Sequence, residues 1–196
     1  IKKIKFKKNK KISIAIIGTG FLGLLMLEVL KKIYSKKIKV EVFDRNNFKL
    51  SIAKKIAWKT HKFTNKISKL NHNKFDYVIE ASGSPANYIN SILLAKNFGR
   101  LIWMSNINNS ISLDKKIVST ILRKNLIIEG IWNSFYKNSK NDDWIDSSKL
   151  LLKGLNPKKF ISNKITLDEL PKTLEKIYQH KKGIKKTKHI KSIVIF

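Results

Sequence analysis

Short apolar runs and denser apolar stretches take turns along this chain, and glycine, proline and asparagine mark the changes between them. Ile12-Ser13-Ile14-Ala15-Ile16-Ile17 ends in glycine and suits a buried parallel strand. From Phe21 to Ile33 the apolar residues are too closely spaced for a surface helix, so a helix packed on a sheet is predicted there. Lys39 to Phe43 alternates and reads as a second strand, Lys49 to Ala57 as a short amphipathic helix, and Phe75 to Ala81 as a third clear strand. A weaker strand candidate surrounds His61-Lys62-Phe63, and the polar tract from Thr64 to Lys74 reads as a loop. Ser84 before Pro85 is a good N-cap with proline at the first helical position, opening a helix to about Lys96. A strand from Arg100 to Ser105, a helix from Leu113 to Lys124 and a strand from Leu126 to Gly130 follow.

Such alternation defines an α/β fold with a doubly wound parallel sheet, the Rossmann arrangement. Beyond Gly130 the pattern changes. Asn133 to Asp142 is polar and loop-like, and a helix is expected from Asp143 to Leu152. Thr166-Leu167-Asp168-Glu169 has capping-box spacing and starts a helix ending near His180. Lys181 to Lys191 reads as a basic linker, and Ile193-Val194-Ile195 as a last short strand. The expected organisation is a dinucleotide-binding domain over 1–154 and a helix–strand tail over 155–196.

Composition narrows the functions available. The 196 residues contain no cysteine, which excludes disulfides, thiol catalysis and cysteine-ligated zinc within them. No apolar run approaches the roughly 20 residues that cross a bilayer, and the basic N-terminus lacks the apolar core of a signal peptide. A cytoplasmic location is expected, with no membrane partner. The first residue is Ile1 rather than Met, which reads as a fragment or a trimmed product. The formal charge of +29 raises the question of a polyanion partner. Yet only Arg45, Arg100 and Arg123 are arginines, and the lysines spread over the whole length. A general residue bias and a basic polyanion-binding module both fit. The first is preferred, so no specific nucleic-acid partner is expected, only weak, salt-sensitive binding.

Gly18-Thr19-Gly20-Phe21-Leu22-Gly23 matches the G-x-G-x-x-G fingerprint, and its setting gives the match weight. It follows a strand, opens a helix, and precedes Asp44 at the end of the second strand. Gly18 permits the tight turn, Gly20 lets a pyrophosphate approach the backbone, and Gly23 lets the helix pack closely. The helix N-terminus offers N–H groups and partial positive charge to phosphates. Asp44 can accept both hydroxyls of the adenosine ribose and repels a 2′-phosphate, favouring NAD over NADP, whereas Arg45 could neutralise such a phosphate. A plain turn beside an exposed aspartate is the competing reading.

Three further strings carry a family resemblance. Ile79-Glu80-Ala81-Ser82-Gly83-Ser84-Pro85, Phe98-Gly99-Arg100-Leu101 and Ile121-Leu122-Arg123-Lys124-Asn125-Leu126-Ile127-Ile128-Glu129-Gly130-Ile131-Trp132-Asn133-Ser134 are similar to segments of the zinc-type medium-chain alcohol and polyol dehydrogenases. With Asp143-Trp144, the chain most resembles the galactitol-1-phosphate 5-dehydrogenase and sorbitol dehydrogenase branches, from about Ile12 to Phe196. The resemblance implies an NAD-binding half whose zinc-binding catalytic half is absent, acting on a polyol or polyol phosphate. It also implies cofactor contacts at Gly18, Gly20, Phe21, Leu22, Gly23, Asp44, Arg45 and Lys49. Ala81 and Gly83 would pass the nicotinamide ribose, while Met104-Ser105-Asn106 and Trp132-Asn133-Ser134 would hold the nicotinamide. Simple packing remains open for Trp132, as does a solvated turn for Asn106, Asn108 and Asn109.

The sequence departs from the family in places. Ala57-Trp58 replaces a Gly-Ala pair, so the turn is reshaped or Trp58 is pushed outward, and Ser105-Asn106 replaces a glycine in a way that crowds the nicotinamide region. His61, His72, His180 and His189 form no H-x-H or H-x-x-x-H pair and read as surface residues, so no metal ligand and no catalytic residue is assigned to this chain. Zinc is expected only in the absent half. Alternatives are a non-catalytic NAD-binding protein or a remnant. The family further implies a homodimer through the strand near Leu126–Gly130, and a tail that returns to the catalytic half.

Overall fold

The computed structural model describes residues 11–35, 37–64, 66–132, 134, 142–181, 184 and 188–196. It divides into two compact units, Ile1–Leu155 and Asn156–Phe196. The expected α/β architecture with a doubly wound parallel sheet is present in the first. Strands β1 (Ile12–Ile17), β2 (Ile38–Asp44), β3 (Lys59–Lys62), β4 (Phe75–Glu80), β5 (Ala95–Trp103) and β6 (Ile127–Gly130) alternate with helices α1 (Phe21–Tyr34), α2 (Asn47–Ala53), α3 (Pro85–Leu94) and α4 (Lys115–Arg123). Helix α5 (Asp143–Leu152) closes this unit. The six strands lie in the order β3-β2-β1-β4-β5-β6, all parallel. The chain therefore winds outward from β1 through β2 to β3, then returns to β4 on the other side of β1. Strand order reverses there, and such a reversal opens a crevice at the C-terminal ends of β1 and β4.

The central strands are apolar because both their faces are covered. Ile14, Ala15, Ile16, Ile17, Val42, Phe43, Phe75 and Val78 are fully buried, and α1 adds Leu24, Leu27 and Leu30. Each large side chain so buried contributes roughly 1.5–3 kcal/mol. Phe43 meets Phe75 edge to face, with ring centroids 5.8 Å apart.

Several local expectations need correction. Helix α3 stops at Leu94, two residues early, because Lys124 reaches its C-terminus: Nζ donates to Ile92 O, Leu93 O and Ala95 O at 3.1, 3.2 and 2.7 Å. Strand β5 accordingly starts at Ala95 and bulges before Arg100, with Phe98 at φ 60° donating its N–H to Lys124 O. Ser84 does sit at the N-cap of α3, but its side chain makes no capping bond. The tract 64–74 carries one 3-10 turn, Lys69–Asn71, and buries Ile67. Of the two outcomes expected at Ala57-Trp58, the outward one holds: Trp58 is 67% exposed, with Lys39 Nζ 4.6 Å from its ring centroid.

The histidines are not surface residues either: all four are half-buried. His61 Nε2 lies 2.6 Å from Glu41 Oε2 and its ring stacks on Phe43 at 4.4 Å, because β3 pairs beside β2 and sets His61 next to Phe43. Burial of His72 pulls its imidazole below the usual range, and its Nε2 has no hydrogen-bond partner.

The second unit holds a two-stranded parallel sheet of β7 (Asn163–Ile165) and β8 (Ser192–Val194), with α6 (Leu170–Lys181) between them in sequence. Phe160 and Ile165 are buried in this small unit. The capping-box spacing works in part: Glu169 Oε2 accepts the Thr166 N–H at 2.9 Å.

Two carboxylates tie the sheet together electrostatically. Asp76 accepts the Ser13 N–H at 2.9 Å and hydroxyl at 2.7 Å, and pairs with Lys96. Glu41 pairs with Lys74 at 2.9 Å and with His61. Burial pushes both carboxyls up, but these hydrogen bonds and charges outweigh it and hold both below their ordinary values. Depressed carboxylate values stabilise the fold above the unfolded-state range, and that stability is lost as pH falls through the folded values. Urea midpoints should therefore drop steeply below about pH 4, and Asp76→Asn should flatten that drop while lowering stability at neutral pH; an unchanged acid limb would refute this assignment.

Candidate dinucleotide-binding site

The crevice at the strand reversal is built from the backbone upward. Gly18 has φ +96°, and a Cβ there would lie 2.8 Å from Ser82 Cβ and 3.0 Å from the Ala81 carbonyl. Gly23 is tighter still: a Cβ would sit 2.0 Å from Gly18 O, so only glycine allows α1 to begin so close to the turn. Gly20 differs in kind. Its φ of −66° suits any residue, and a Cβ there meets nothing within 4 Å. The open space beside it is the mouth of a cavity of about 370 Å³. No side chain caps the N-terminus of α1, and its first turn carries no acidic residue. The positive end of the helix dipole there is thus not offset by an acidic side chain in the first turn.

The cavity brings together Gly18, Gly20, Asp44, Arg45, Lys49 and Ala81 from the sequence-predicted set. Asn87, Asn108 and Asn109 complete one wall. Asn108 and Asn109 are exposed, as a solvated turn requires, yet they also line this space. What draws them in is a contact the sequence does not advertise. The Asn108 N–H donates to Gly83 O at 3.1 Å, the Tyr88 hydroxyl donates to Ser105 O, and a Cβ on Gly83 (φ +72°) would lie 2.3 Å from Asn106 O. The 104–109 segment is thereby folded down onto the 81–84 turn.

Phe21, Leu22, Gly23, Gly83, Met104, Ser105, Asn106, Trp132 and Ser134 are not among the residues lining the cavity. Leu22 is 49% and Trp132 71% exposed. Asn133 lies outside the described residues. The cavity thus gathers the predicted adenosine half of the site more fully than the nicotinamide half.

Glu80 is the residue that sequence reasoning passed over. It ends β4 fully buried, and its carboxylate accepts the Ser82 N–H at 2.8 Å, the Ser82 hydroxyl, and the Gly83 N–H at 3.2 Å. Burial pushes its carboxyl above the ordinary range, against the opposing pull of those donors. Its signal was its place: an acidic residue closing a strand after the apolar run Tyr77-Val78-Ile79, just before a glycine turn. Asp44 is likewise engaged. Oδ2 accepts the Thr19 N–H at 2.6 Å and the Thr19 hydroxyl at 2.7 Å, and Oδ1 accepts the Asn46 N–H at 2.8 Å.

Among the described residues no group of three or more His, Cys, Asp and Glu side chains could hold a metal ion. With no cysteine, the 196 residues contain no cysteine-ligated zinc site.

No family model matches the chain. A curated relative, L-threonine 3-dehydrogenase of Bacillus velezensis, is 28% identical over 150 residues, spanning 73% of this chain and 41% of the relative. Among solved structures, galactitol-1-phosphate dehydrogenase from Escherichia coli superposes with a TM-score of 0.76 at 20% identity, covering 87% of this chain and 51% of that one. A protein described as a short chain alcohol dehydrogenase, from Escherichia coli CFT073 and complexed with NADH, gives 0.72 at 21% identity, over 95% and 53% of the two chains. A protein from Sinorhizobium meliloti 1021, described as a zinc-binding dehydrogenase and bound to NADP, gives 0.72 at 20% identity, over 95% and 53%. The fold is thus one that alcohol and polyol dehydrogenases contain, and this chain spans about half the length of those proteins.

The two glycines of the turn should respond in opposite ways. Gly23→Ala should cost at least about 2 kcal/mol through its clash with Gly18 O, whereas Gly20→Ala should change stability by less than about 0.5 kcal/mol. Paired urea unfolding curves test this, and equal losses would contradict the geometry.

Proposed function

We propose that this chain is the NAD-binding portion of a zinc-type medium-chain alcohol or polyol dehydrogenase, with the catalytic zinc held by residues outside these 196. The observation carrying this reading is the open backbone at Gly20, set in a cavity that also contains Asp44, Arg45 and Lys49. A pyrophosphate approaching Gly20 meets the N-terminus of α1, and an adenosine ribose then falls within reach of Asp44. The likeness to dehydrogenases with NADH or NADP bound supports a nicotinamide dinucleotide over other nucleotides. The chemistry such a cofactor supplies is hydride acceptance from an alcohol carbon. This chain's share is to bind and orient: the turn holds phosphate, Asp44 reads the ribose, and Asn108 and Asn109 line the same cavity. Among the described residues no side-chain cluster could hold a metal ion, so no oxidation of a polyol or polyol phosphate is expected from this chain alone. Among the described residues no helix is long and apolar enough to cross a membrane.

A second copy of the chain is the proposed partner. β6 is last in the sheet order and, among the described residues, pairs with β5 only, with Ile127 43% exposed. Edge-to-edge pairing across a two-fold axis would satisfy that strand.

NADH fluorescence titration tests the cofactor reading. The chain should bind NADH, and Gly20→Val, which places a side chain in the phosphate approach, should weaken binding at least about tenfold, or 1.4 kcal/mol, with unfolding unchanged; equal affinity in both proteins would overturn it. Sedimentation at micromolar concentration should give a dimer, and a monomer would count against the β6 interface.

A further inference from the structure

The functional reading above takes Asp44 as the ribose acceptor, and the inference that follows rests on that reading. A carboxylate offers about four lone-pair sites. Three are already filled from within the fold: Oδ2 takes both the N–H and the hydroxyl of Thr19, and Oδ1 takes the Asn46 N–H. Thr19 is fully buried, so its hydroxyl has no water to turn to and stays on the carboxylate. One acceptor site is left on Asp44 for a ribose that presents two hydroxyls. The bidentate grip that selects an unphosphorylated ribose is therefore half dismantled, and three donors spread the charge that would repel a phosphate. Arg45 and Lys49 line the same cavity, and among the described residues neither is in an ion pair. An arginine at this place accommodates a 2′-phosphate.

We propose that Thr19 sets cofactor choice by holding the Asp44 carboxylate inward, so that the site accepts a 2′-phosphorylated dinucleotide as well as the unphosphorylated one. Full recognition of the ribose diol requires Asp44 to give up the Thr19 hydroxyl. A 2′-phosphate requires no such exchange, because Arg45 and Lys49 supply its donors and countercharge. Specificity is a difference of two affinities, and this arrangement lowers one while leaving the other supported.

Parallel titrations with NADH and NADPH test the idea. The unmodified chain should bind the two within about tenfold of each other. Thr19→Val, which removes the hydroxyl and keeps the N–H bond, should free an acceptor and shift the NADH-to-NADPH preference about tenfold toward NADH. Because Thr19 is buried, Arg45→Ala at an exposed position provides the independent arm. It should weaken NADPH binding about tenfold while affecting NADH far less. NADH binding with NADPH more than about a hundredfold weaker would overturn the inference and leave the functional reading standing. So would a preference that neither substitution moves. Failure of the chain to bind either cofactor would overturn both.

Discussion

The approach of helix α1 to the turn that precedes it governs the geometry of the first unit. A carbonyl oxygen of Gly18 stands where any side chain on Gly23 would begin. With that contact in place, α1 starts at Phe21, its apolar face packs over β1, and its N-terminus points into the crevice where strand order reverses. Separate the two glycines by even the width of a methyl group and the cavity floor tilts. The turn from β4, with Ser82 and Ala81 against Gly18, would lose its neighbour as well. Gly18 thus touches both the start of α1 and the turn after β4, beside the β1–β4 ladder that joins the two halves of the sheet.

Glu80 performs the matching task on the other half. Its buried carboxylate gathers the N–H groups of Ser82 and Gly83, and that turn in turn receives the segment from Ser105 to Asn108. The cavity therefore has two walls held by different means. One rests on the absence of side chains, the other on an ionisable group placed where water does not reach it. The first tolerates changes of pH and salt. The second is sensitive to protonation, because a protonated Glu80 has fewer acceptor sites for the donors it now holds.

Much of this was legible in the sequence, for identifiable reasons. Buried parallel strands announce themselves as apolar runs, and G-x-G-x-x-G followed by Asp44 places a turn, a helix start and a second strand in one stroke. What was not legible depends on residues distant in sequence. The early end of α3 at Leu94 comes from Lys124, which no local pattern connects to it. The half-buried state of His61 comes from pairing of β3 with β2, and the place of the exposed Asn108 on the cavity from a bond to Gly83. The inward engagement of Asp44 by Thr19 was invisible for the same reason: the middle residue of the fingerprint is read as a spacer, and its hydroxyl matters only once the second strand lies beside it.

Consider finally the bond between Ser13 and Asp76, which spans 63 residues. β1 takes β2 on one side across a single helical crossover, but its other side is filled by β4, which arrives only after β2 and β3 have been laid down. During synthesis the most apolar strand of the sheet therefore carries an open edge until the chain has grown past Glu80. Parallel pairing over such a separation is slow, because the intervening chain must be gathered before any contact rewards it. Ser13 and Asp76 act as the clasp that ends this interval. The order in which the strands emerge thus leaves β1 paired on one side only until β4 has been made, and like charge on a chain of net charge +29 would oppose contact between neighbouring chains over that interval.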